Sequence, residues 1–288
     1  MYVAIRDGIL KSAGYESIRS GLDDLKLANL ELEFFRDYSV YRPDAWEKQT
    51  FAPEAAAGAI RDLFGPAGVR VSAFLLHNNF NSADPDAEVR WVIDVIKTAQ
   101  ALSVPAIRID AVTKGEKEES FEVRVNRFVE CMKAVLAAAP AAGVQLGIEN
   151  HGIQGNDPEF LRQVIGRVGD PRLGITLDTG NFYWSGLPLS EVYRVFEEMA
   201  GQVKHTHVKN IRFPEEIRER RREPGLDYKI YVSPIGEGDI DHSRLVRILA
   251  RAGYAGPLTI EDESLGKFEL PARREVLKRD VAHLAGLL

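Results

Sequence analysis

Short apolar segments and helix-like segments alternate eight times along this chain. The apolar segments are typical of strands: Tyr2-Ile5, Leu30-Phe35, Val69-Leu76, Ala106-Ile109, Val144-Ile148, Leu173-Leu177, Val203-Val208 and Leu258-Ile260. The segments that follow them are typical of helices: Tyr15-Leu25, Pro53-Phe64, Asp86-Leu102, Ser120-Ala139, Pro158-Val168, Ser190-Ala200, His242-Ala252 and Ala272-Leu284. A helix after each strand makes a crossover connection, so neighbouring strands are expected to run parallel.

Eight strand–helix units in 288 residues predict a single α/β domain, a (β/α)8 TIM barrel over residues 1–288. A doubly wound open sheet is the alternative. Its nucleotide-binding form is weakened because no Gly-rich phosphate-binding sequence follows the first strand. The pattern predicts one long loop, residues 209–241 after the seventh strand. Most of its charges indicate a solvated helical turn, but its position directly after His207 also makes it a candidate lid.

The composition limits the classes of function. The net charge of -6 argues against nucleic-acid and membrane-surface binding, because nothing would offset phosphate repulsion. No apolar run approaches the roughly 20 residues of a membrane-spanning helix. The single cysteine, Cys131, cannot form an intrachain disulfide, and the amino terminus lacks a signal-peptide pattern. A cytoplasmic location is therefore expected.

Ligand-type side chains stand at the ends of four consecutive predicted strands. They are Glu149, Asp178, His207 and Glu261. The carboxyl ends of barrel strands form the active-site face, so these side chains are expected to converge there. A single carboxylate at such a position is equally typical of a helix cap or a surface charge, and Asp178 alone would fit that interpretation. Four such side chains at the ends of four consecutive strands favour a shared site.

The seventh predicted strand carries an unusual density of polar side chains in Lys204-His205-Thr206-His207-Val208-Lys209. Side chains alternate between the faces of a strand, so His205, His207 and Lys209 are expected to project to the same side. Two imidazoles and an amine are suited to holding a metal and an anionic substrate group. For His205, a hydrogen-bonded core position is an equal alternative. Lys209 is either a positive charge beside a substrate oxygen or a surface lysine.

Three carboxylates and an imidazole in one barrel mouth would repel one another without a cation. Oxygen-rich ligation with one imidazole suits Mn²⁺, Mg²⁺ or Co²⁺ better than a structural zinc site. The sequence therefore predicts one divalent metal ion, for which Mn²⁺ is preferred and Mg²⁺, Co²⁺ or Zn²⁺ are alternatives.

The carboxyl-terminal half resembles the xylose-isomerase-like TIM barrels, a superfamily of sugar isomerases and epimerases that also includes endonuclease IV. The matching sequences are Ile148-Glu149-Asn150-His151, Leu177-Asp178-Thr179-Gly180-Asn181, His205-Thr206-His207-Val208-Lys209-Asn210, Gly236-Glu237-Gly238-Asp239-Ile240-Asp241 and Gly253-Tyr254-Ala255-Gly256-Pro257-Leu258-Thr259-Ile260-Glu261. The resemblance implies that Glu149, Asp178, His207 and Glu261 bind one divalent ion. It also implies that Glu149 and Glu261 flank the substrate and exchange a proton next to its carbonyl group, as in the ketose 3-epimerases.

The sequence departs from that pattern in two respects. The substrate-binding glutamate of the ketose epimerases, a few residues past the first metal ligand, has no clear counterpart here, and Gln154 and Asp157 are only its neighbours. Ketose epimerases of the superfamily usually carry a histidine three residues after the aspartate ligand, and this chain has Asn181 there. An asparagine can hydrogen-bond a hydroxyl group but cannot carry a proton at neutral pH. The predicted substrate-binding residues are His77, Arg108, His151, Asn181, Lys209 and Arg212. For Arg108, pairing with Asp110 or an acid of a neighbouring strand is favoured over binding of a carboxylate or phosphate. Trp184 would either stack on a sugar or pack under a helix.

These observations predict a metal-dependent sugar isomerase or epimerase that acts through an enediolate, with Glu149 and Glu261 as acid and base. A lyase or dehydratase acting on a keto-sugar or inosose, including C-glycoside cleavage, is the alternative, with His151 or His77 as the additional acid. A catalytically silent binding subunit would be expected to have lost a metal ligand. The expected partner is a small carbohydrate, without nucleic acid or membrane, and superfamily members are often homo-oligomers.

Overall fold

The computed structural model describes residues 1–111, 118–139 and 143–288, and it confirms the predicted barrel. Eight parallel strands close in the order β1-β12-β9-β8-β7-β6-β5-β2. These strands are β1 (Tyr2–Arg6), β2 (Asn29–Glu33), β5 (Arg70–Leu75), β6 (Ala106–Ile109), β7 (Gln145–Glu149), β8 (Leu173–Asp178), β9 (Val203–Val208) and β12 (Pro257–Ile260). Four shorter strands lie outside the barrel: β3 (Ser39–Tyr41), β4 (Lys48–Thr50), β10 (Asn210–Ile211) and β11 (Val232–Ser233).

Helices surround the barrel. They are α1 (Asp7–Ser12), α2 (Ile18–Leu25), α3 (Ala56–Phe64), α4 (Pro85–Leu102), α5 (Phe121–Ala138), α6 (Pro158–Val168), α7 (Asn181–Trp184), α8 (Leu189–Met199), α9 (Glu215–Arg218), α10 (Tyr228–Tyr231), α11 (His242–Arg251) and α12 (Leu270–Ala285). In the described residues eight of them follow the predicted positions, whereas α1, α7, α9 and α10 were not predicted. The starts of the helices are set by local chemistry. The Asp84 side chain accepts the N–H of Ala87 ahead of α4, and Asp157 with Pro158 begins α6.

The apolar core occupies two layers, one inside the barrel and one between the strands and the helices. Every residue of β6, β8 and β12 is buried, as expected for parallel strands covered on both faces. The strands are also packed closely, since a Cβ atom on Gly174 would lie 2.0 Å from the carbonyl oxygen of Gln202. In the described part of the chain, no helix has the length and apolarity needed to cross a membrane.

The expectation of only one long loop is wrong. The connection between β2 and α3 is also long and contains the antiparallel hairpin β3–β4, in which Ser39 pairs with Thr50. Its three-residue strands are too short to give a periodic signal. The segment 209–241 is also more ordered than a loop, because β10 pairs with β11 and the short helices α9 and α10 lie between them.

Candidate metal centre

Glu149, Asp178, His207 and Glu261, here called the mouth cluster, lie together at the carboxyl ends of β7, β8, β9 and β12. These four strands are consecutive neighbours in the barrel. One ligand atom from each residue lies within 4.8 Å of the others, and all four residues are buried. The register explains the convergence, since Asp178 pairs with His207 across the β8–β9 ladder. The arrangement has the donor set of a divalent-cation site.

His207 lies at the centre of this arrangement. Its Nδ1 atom is 3.1 Å from Oε1 of Glu149 and 3.2 Å from Oε2 of Glu261. Burial alone would lower the pKa of His207, but the charges of Glu261, Glu31 and Glu149 raise it well above its usual value. The Nδ1 position therefore favours a positively charged occupant, either a proton or a metal ion.

Asp178 has one satisfied and one unsatisfied oxygen. Its Oδ1 accepts the backbone N–H groups of Gly180 and Asn181, at 2.9 and 2.8 Å, where α7 begins. Its Oδ2 and the Oε2 atom of Glu261 are buried, and neither accepts a hydrogen bond from the described residues. Burial raises the pKa of Asp178 well above its usual value, although the Lys209 ammonium group opposes this. Both oxygens have ion-pair contacts instead, Asp178 with Lys209 Nζ at 3.2 Å and Glu261 with His207 Nδ1 at 3.2 Å. Buried acceptors whose hydrogen bonds are not made are chemically suited to a cation.

Basic side chains already surround the carboxylates, and of these the sequence interpretation considered Arg108 and Lys209 but not Arg6. Arg108 donates through Nε to Oε2 of Glu149 at 2.5 Å, and Arg6 forms an ion pair with Glu261. Lys209 Nζ lies 3.2 Å from Oδ2 of Asp178. Charge repulsion is therefore partly offset without a metal, and the argument for an ion rests on the unsatisfied oxygens. Arg6 was missed because its partner is more than 250 positions away in the chain.

His77 and His151 lie at the rim, where both contact Asp110. Nδ1 of His77 is 3.2 Å from Oδ2 of Asp110, and Nδ1 of His151 is 3.0 Å from Oδ1. The side chains of the two histidines are 52% and 45% exposed, so they are accessible from the mouth. Arg108 reaches Asp110 as well, at 3.0 Å, and is fully engaged inside the barrel with Glu149 and the carbonyl oxygen of Leu76. Arg108 is thus paired with Asp110 and with an acid of a neighbouring strand, as the sequence analysis considered for it besides substrate binding.

The other predicted substrate-binding residues differ in their positions. Asn181 is buried beside Asp178, and its Nδ2 donor has no acceptor among the described residues. Lys209 is buried and contacts Asp178, so it is not a surface lysine. Arg212 is exposed, and across the described ranges no hydrogen bond or ion pair joins its side chain to the mouth cluster. Trp184 is half-buried, and its carbonyl oxygen accepts the N–H of Gly225.

The segment 209–241 reaches the mouth cluster through Tyr228, a residue that the sequence interpretation did not select. The Tyr228 hydroxyl donates to Oε2 of Glu263 at 2.5 Å. The other Glu263 oxygen accepts from Lys209 Nζ at 2.8 Å, and Lys209 lies 3.4 Å from Glu261. A chain of polar contacts therefore connects α10 to the mouth cluster. The sequence held no signal for Tyr228 beyond its place in the loop after His207.

The fold and the mouth cluster together define a parallel eight-stranded barrel with a carboxylate–imidazole site at its carboxyl end. The sequence profile of the xylose isomerase-like TIM barrel family matches residues 10–287. The chain belongs to this family, as the resemblance in its carboxyl-terminal half indicated.

Two curated relatives illustrate the sequence similarity. An uncharacterised protein of Methanocaldococcus jannaschii is 25% identical over 162 residues, which are 54% of this chain and 49% of that protein. An inosose dehydratase of Bacillus velezensis is 32% identical over 101 residues, which are 33% of this chain and 32% of the enzyme. The chain thus spans about half the length, or less, of these curated relatives.

Solved structures share the fold along the whole chain. A xylose isomerase domain protein of Alicyclobacillus acidocaldarius has a TM-score of 0.72 at 16% identity and covers 100% of this chain and 99% of its own. Mannonate dehydratase of Streptococcus suis has a TM-score of 0.69 at 12% identity, with coverages of 100% and 92%. The IolI protein with a bound zinc atom has a TM-score of 0.68 at 14% identity, with coverages of 98% and 97%.

Proposed function

We propose that this chain is a divalent-metal-dependent isomerase or epimerase acting on a carbohydrate ketone. One observation carries the proposal: Glu149 and Glu261 both lie within 3.2 Å of the same imidazole nitrogen, and each is held by its own arginine. Two carboxylates fixed around one position can remove a proton and return it to another face or carbon. All four predicted ligands are present, which argues against a silent binding subunit.

The mouth cluster would hold the metal through Glu149, Asp178, His207 and Glu261. When bound, a divalent ion supplies positive charge beside the oxygens of a ketone and its neighbouring hydroxyl group. Mn²⁺ is our preferred ion because three of the four donors are carboxylates. The zinc atom in the IolI structure makes Zn²⁺ a second choice.

The chain's own groups would bind and orient the substrate. The unpaired Nδ2 donor of Asn181 is available to a substrate hydroxyl group, and Lys209 brings positive charge to the same side of the barrel. Glu149 and Glu261 would exchange the proton next to the carbonyl carbon. Positive neighbours lower the pKa values of both carboxyl groups despite burial. Arg108 and then His207 act on Glu149, and His207, then Lys209 and Arg6, act on Glu261. Both groups are therefore ionised, the form in which a carboxylate can act as a base.

A dehydratase is the second candidate, supported by the two rim histidines. His77 and His151 are hydrogen-bonded to Asp110 and half-exposed, so either could protonate a departing hydroxyl group. The inosose dehydratase among the relatives supports the same chemistry. An isomerase would leave the substrate mass unchanged, whereas a dehydratase would remove one water.

Metal analysis followed by a substrate screen tests the proposal. Wild type and His207→Ala are purified together, and their Mn, Co, Mg and Zn contents are measured. Keto-sugars and inososes are then incubated with the metal-loaded protein in deuterated water and analysed by NMR and mass spectrometry. Deuterium uptake without loss of water supports the isomerase, and loss of water supports the dehydratase. A wild type that binds no divalent metal after addition of Mn²⁺ would overturn both.

Location and assembly are part of the proposal. The single cysteine, Cys131, is buried in α5, and this is compatible with a cytoplasmic enzyme. A homo-oligomer stays a prediction, which light scattering of the purified protein would check.

A further inference from the structure

Glu31 is a fully buried carboxylate below the mouth cluster, on a strand that supplies none of the predicted metal ligands. It lies on β2, where the pairing with β5 shifts register between Leu30 and Glu31. Its Oε1 atom is 2.9 Å from Nε2 of His205, and its Oε2 atom is 2.8 Å from Nε2 of His207. Glu31 thus joins the two histidines of β9 through the same ring atom of each.

These contacts assign the ring protons of both histidines. An ionised carboxylate can only accept hydrogen bonds, so Nε2 of each imidazole must carry a hydrogen. Each oxygen of the buried Glu31 side chain lies at hydrogen-bond distance from one ring nitrogen, the geometry of a carboxylate that accepts from both rings. Nδ1 of His207 is then the atom left for a metal, and it is the atom that faces Glu149 and Glu261.

We propose that Glu31 is a positioning residue for the metal centre, an inference that rests on the proposed function. By accepting the Nε2–H of His207, Glu31 fixes the ring orientation and the tautomer that present Nδ1 to the ion. Carboxylates in this relation to a ligating histidine also raise its basicity. His205 serves as the second anchor that keeps the Glu31 side chain in place.

Arg6 connects Glu31 to the mouth cluster from a third side. Its Nε atom lies 4.0 Å from Oε2 of Glu31, and its Nη1 atom is paired with Glu261. Glu31, His205 and His207 could also be regarded as a second cation site. A cation there would need both Nε2 hydrogens removed and would lie close to the Arg6 guanidinium group. The direct hydrogen bonds and the nearby positive charge favour the positioning role.

The first test determines the tautomer of His207 in the wild-type protein, in which the hydrogen bonds of Glu31 are intact. Wild-type protein labelled with ¹⁵N-histidine is loaded with Zn²⁺, and long-range ¹H–¹⁵N spectra identify which ring nitrogen carries hydrogen. His207→Gln assigns the signals. We expect Nε2–H for both His207 and His205. An Nδ1–H signal for His207 in the metal-loaded protein would overturn the proposal.

Metal affinity is the second test. Glu31→Gln keeps the side-chain shape but can accept from only one imidazole, so we expect Mn²⁺ to bind roughly 10–100-fold more weakly. His205→Gln, which removes the second anchor, should weaken binding to a smaller extent. Ser72→Ala is the matched control. It also loses a buried hydrogen bond, of 3.0 Å, from Ser72 to the carbonyl oxygen of Leu30 on β2, the strand of Glu31.

The outcomes separate this inference from the proposed function. If wild type takes up no divalent metal, the proposed function fails and this inference fails with it. If wild type binds Mn²⁺ and folded Glu31→Gln binds it with the affinity of Ser72→Ala, only the positioning role is overturned. Weaker binding in Glu31→Gln with normal binding in Ser72→Ala supports it. Should Glu31→Gln not fold, the wild-type tautomer decides the question.

Discussion

Lys209 differs from an ordinary lysine because its side chain is buried instead of exposed. Its ammonium group is buried and lies within 3.4 Å of oxygen atoms from Asp178, Glu261 and Glu263. Burial alone would lower the pKa of Lys209, but these carboxylates raise it, so the group stays charged. A fixed positive charge at this position would stabilise negative charge that develops on a bound ketone.

Lys209→Met should therefore slow deuterium exchange into the substrate roughly 100-fold or more while metal content is retained. Methionine keeps an unbranched stem and removes the charge. Lys204→Met, in the strand β9 that directly precedes Lys209, is the control, since alternate residues of a strand face opposite sides. Exchange rates and metal contents of the three proteins are compared. Equal exchange rates in Lys209→Met and wild type would remove Lys209 from the proposed chemistry.

The side chains of the mouth cluster were easier to predict from the sequence than the side chains that support them. Glu149 and Asp178 end barrel strands, and such positions can be read from apolar runs followed by a polar residue. Glu31 and Arg6 are different, because each acts through a partner on a distant strand. Glu31 also lies within its strand, at a register shift that no local pattern indicates. Residues that position a metal ligand are thus harder to predict from sequence than the metal ligand itself.

At the scale of elements, the part of the segment 209–241 around α10 is weakly buried, since none of residues 221–230 is buried. Leu226 and Ile230 are exposed, and the Tyr228 hydroxyl group contacts Glu263 beside the mouth. Segments with few buried apolar contacts open at low free-energy cost. The lid assignment stays a prediction, and the Tyr228 contact offers a direct way to test it.

Tyr228→Phe should favour opening of this segment by about 1 kcal/mol, because one partly exposed hydrogen bond is lost. Limited trypsin cleavage within residues 212–229 should then be about 5-fold faster under conditions in which opening is fast. Tyr231→Phe, at the other end of α10, is the control. Equal cleavage rates for the two variants would show that the Tyr228 hydroxyl group does not hold the segment closed.

The elements themselves were largely predictable, and the exceptions share a cause. Ala106–Ile109, Pro158–Val168 and Val203–Val208 have the bounds that the sequence predicts. The strands of the β3–β4 hairpin have only three residues, too few for a period to emerge. Short helices such as α7 have only four residues, and α7 begins at a local contact in which two N–H groups donate to Asp178. The periodic sequence pattern therefore predicted the strands and helices of the barrel, but not its short connecting elements.

At the scale of the whole molecule, a buried carboxyl pair makes stability depend on pH. Asp280 on α12 lies against Asp262, and burial together with the Asp262 charge raises the pKa of Asp280 to about 9. Its Oδ1 atom accepts the N–H of Ile235 at 3.0 Å. In the unfolded chain this aspartate releases its proton near pH 4, the ordinary range. In the folded state Asp280 keeps its proton above that pH. The stabilisation is therefore complete below about pH 4 and is lost as the pH rises towards 9.

Asp280→Asn should flatten this dependence. The amide cannot ionise, its oxygen can still accept from Ile235, and its NH₂ group can donate to Asp262. We expect the free energy of unfolding to fall less between pH 5 and pH 9 than in wild type, with the variant more stable at pH 9. Urea unfolding at several pH values measures this. Glu275→Gln, exposed on the same helix, should follow wild type, and an unchanged slope in Asp280→Asn would contradict the assignment.

A metal ion at the mouth cluster would act on the whole barrel, because its four ligands come from four different strands. The unfolded chain cannot bring these ligands together, so binding adds to the free energy of unfolding. At 100 times the dissociation constant this contribution is about 2.7 kcal/mol. A change of 1 kcal/mol shifts the melting temperature of a domain of this size by roughly 2–4 °C, so Mn²⁺ should raise the Tm of EDTA-treated protein by roughly 5–10 °C.

His207→Ala separates this effect from Mn²⁺ binding elsewhere on the acidic surface. The substitution removes the one imidazole ligand that contacts both Glu149 and Glu261, so its Tm should not respond to Mn²⁺. An equal rise in wild type and variant would place the ion outside the mouth cluster. The Tm of metal-free His207→Ala is informative as well. His207 is a charged partner of three buried carboxylates in the absence of metal, so its loss should lower stability before any ion is added.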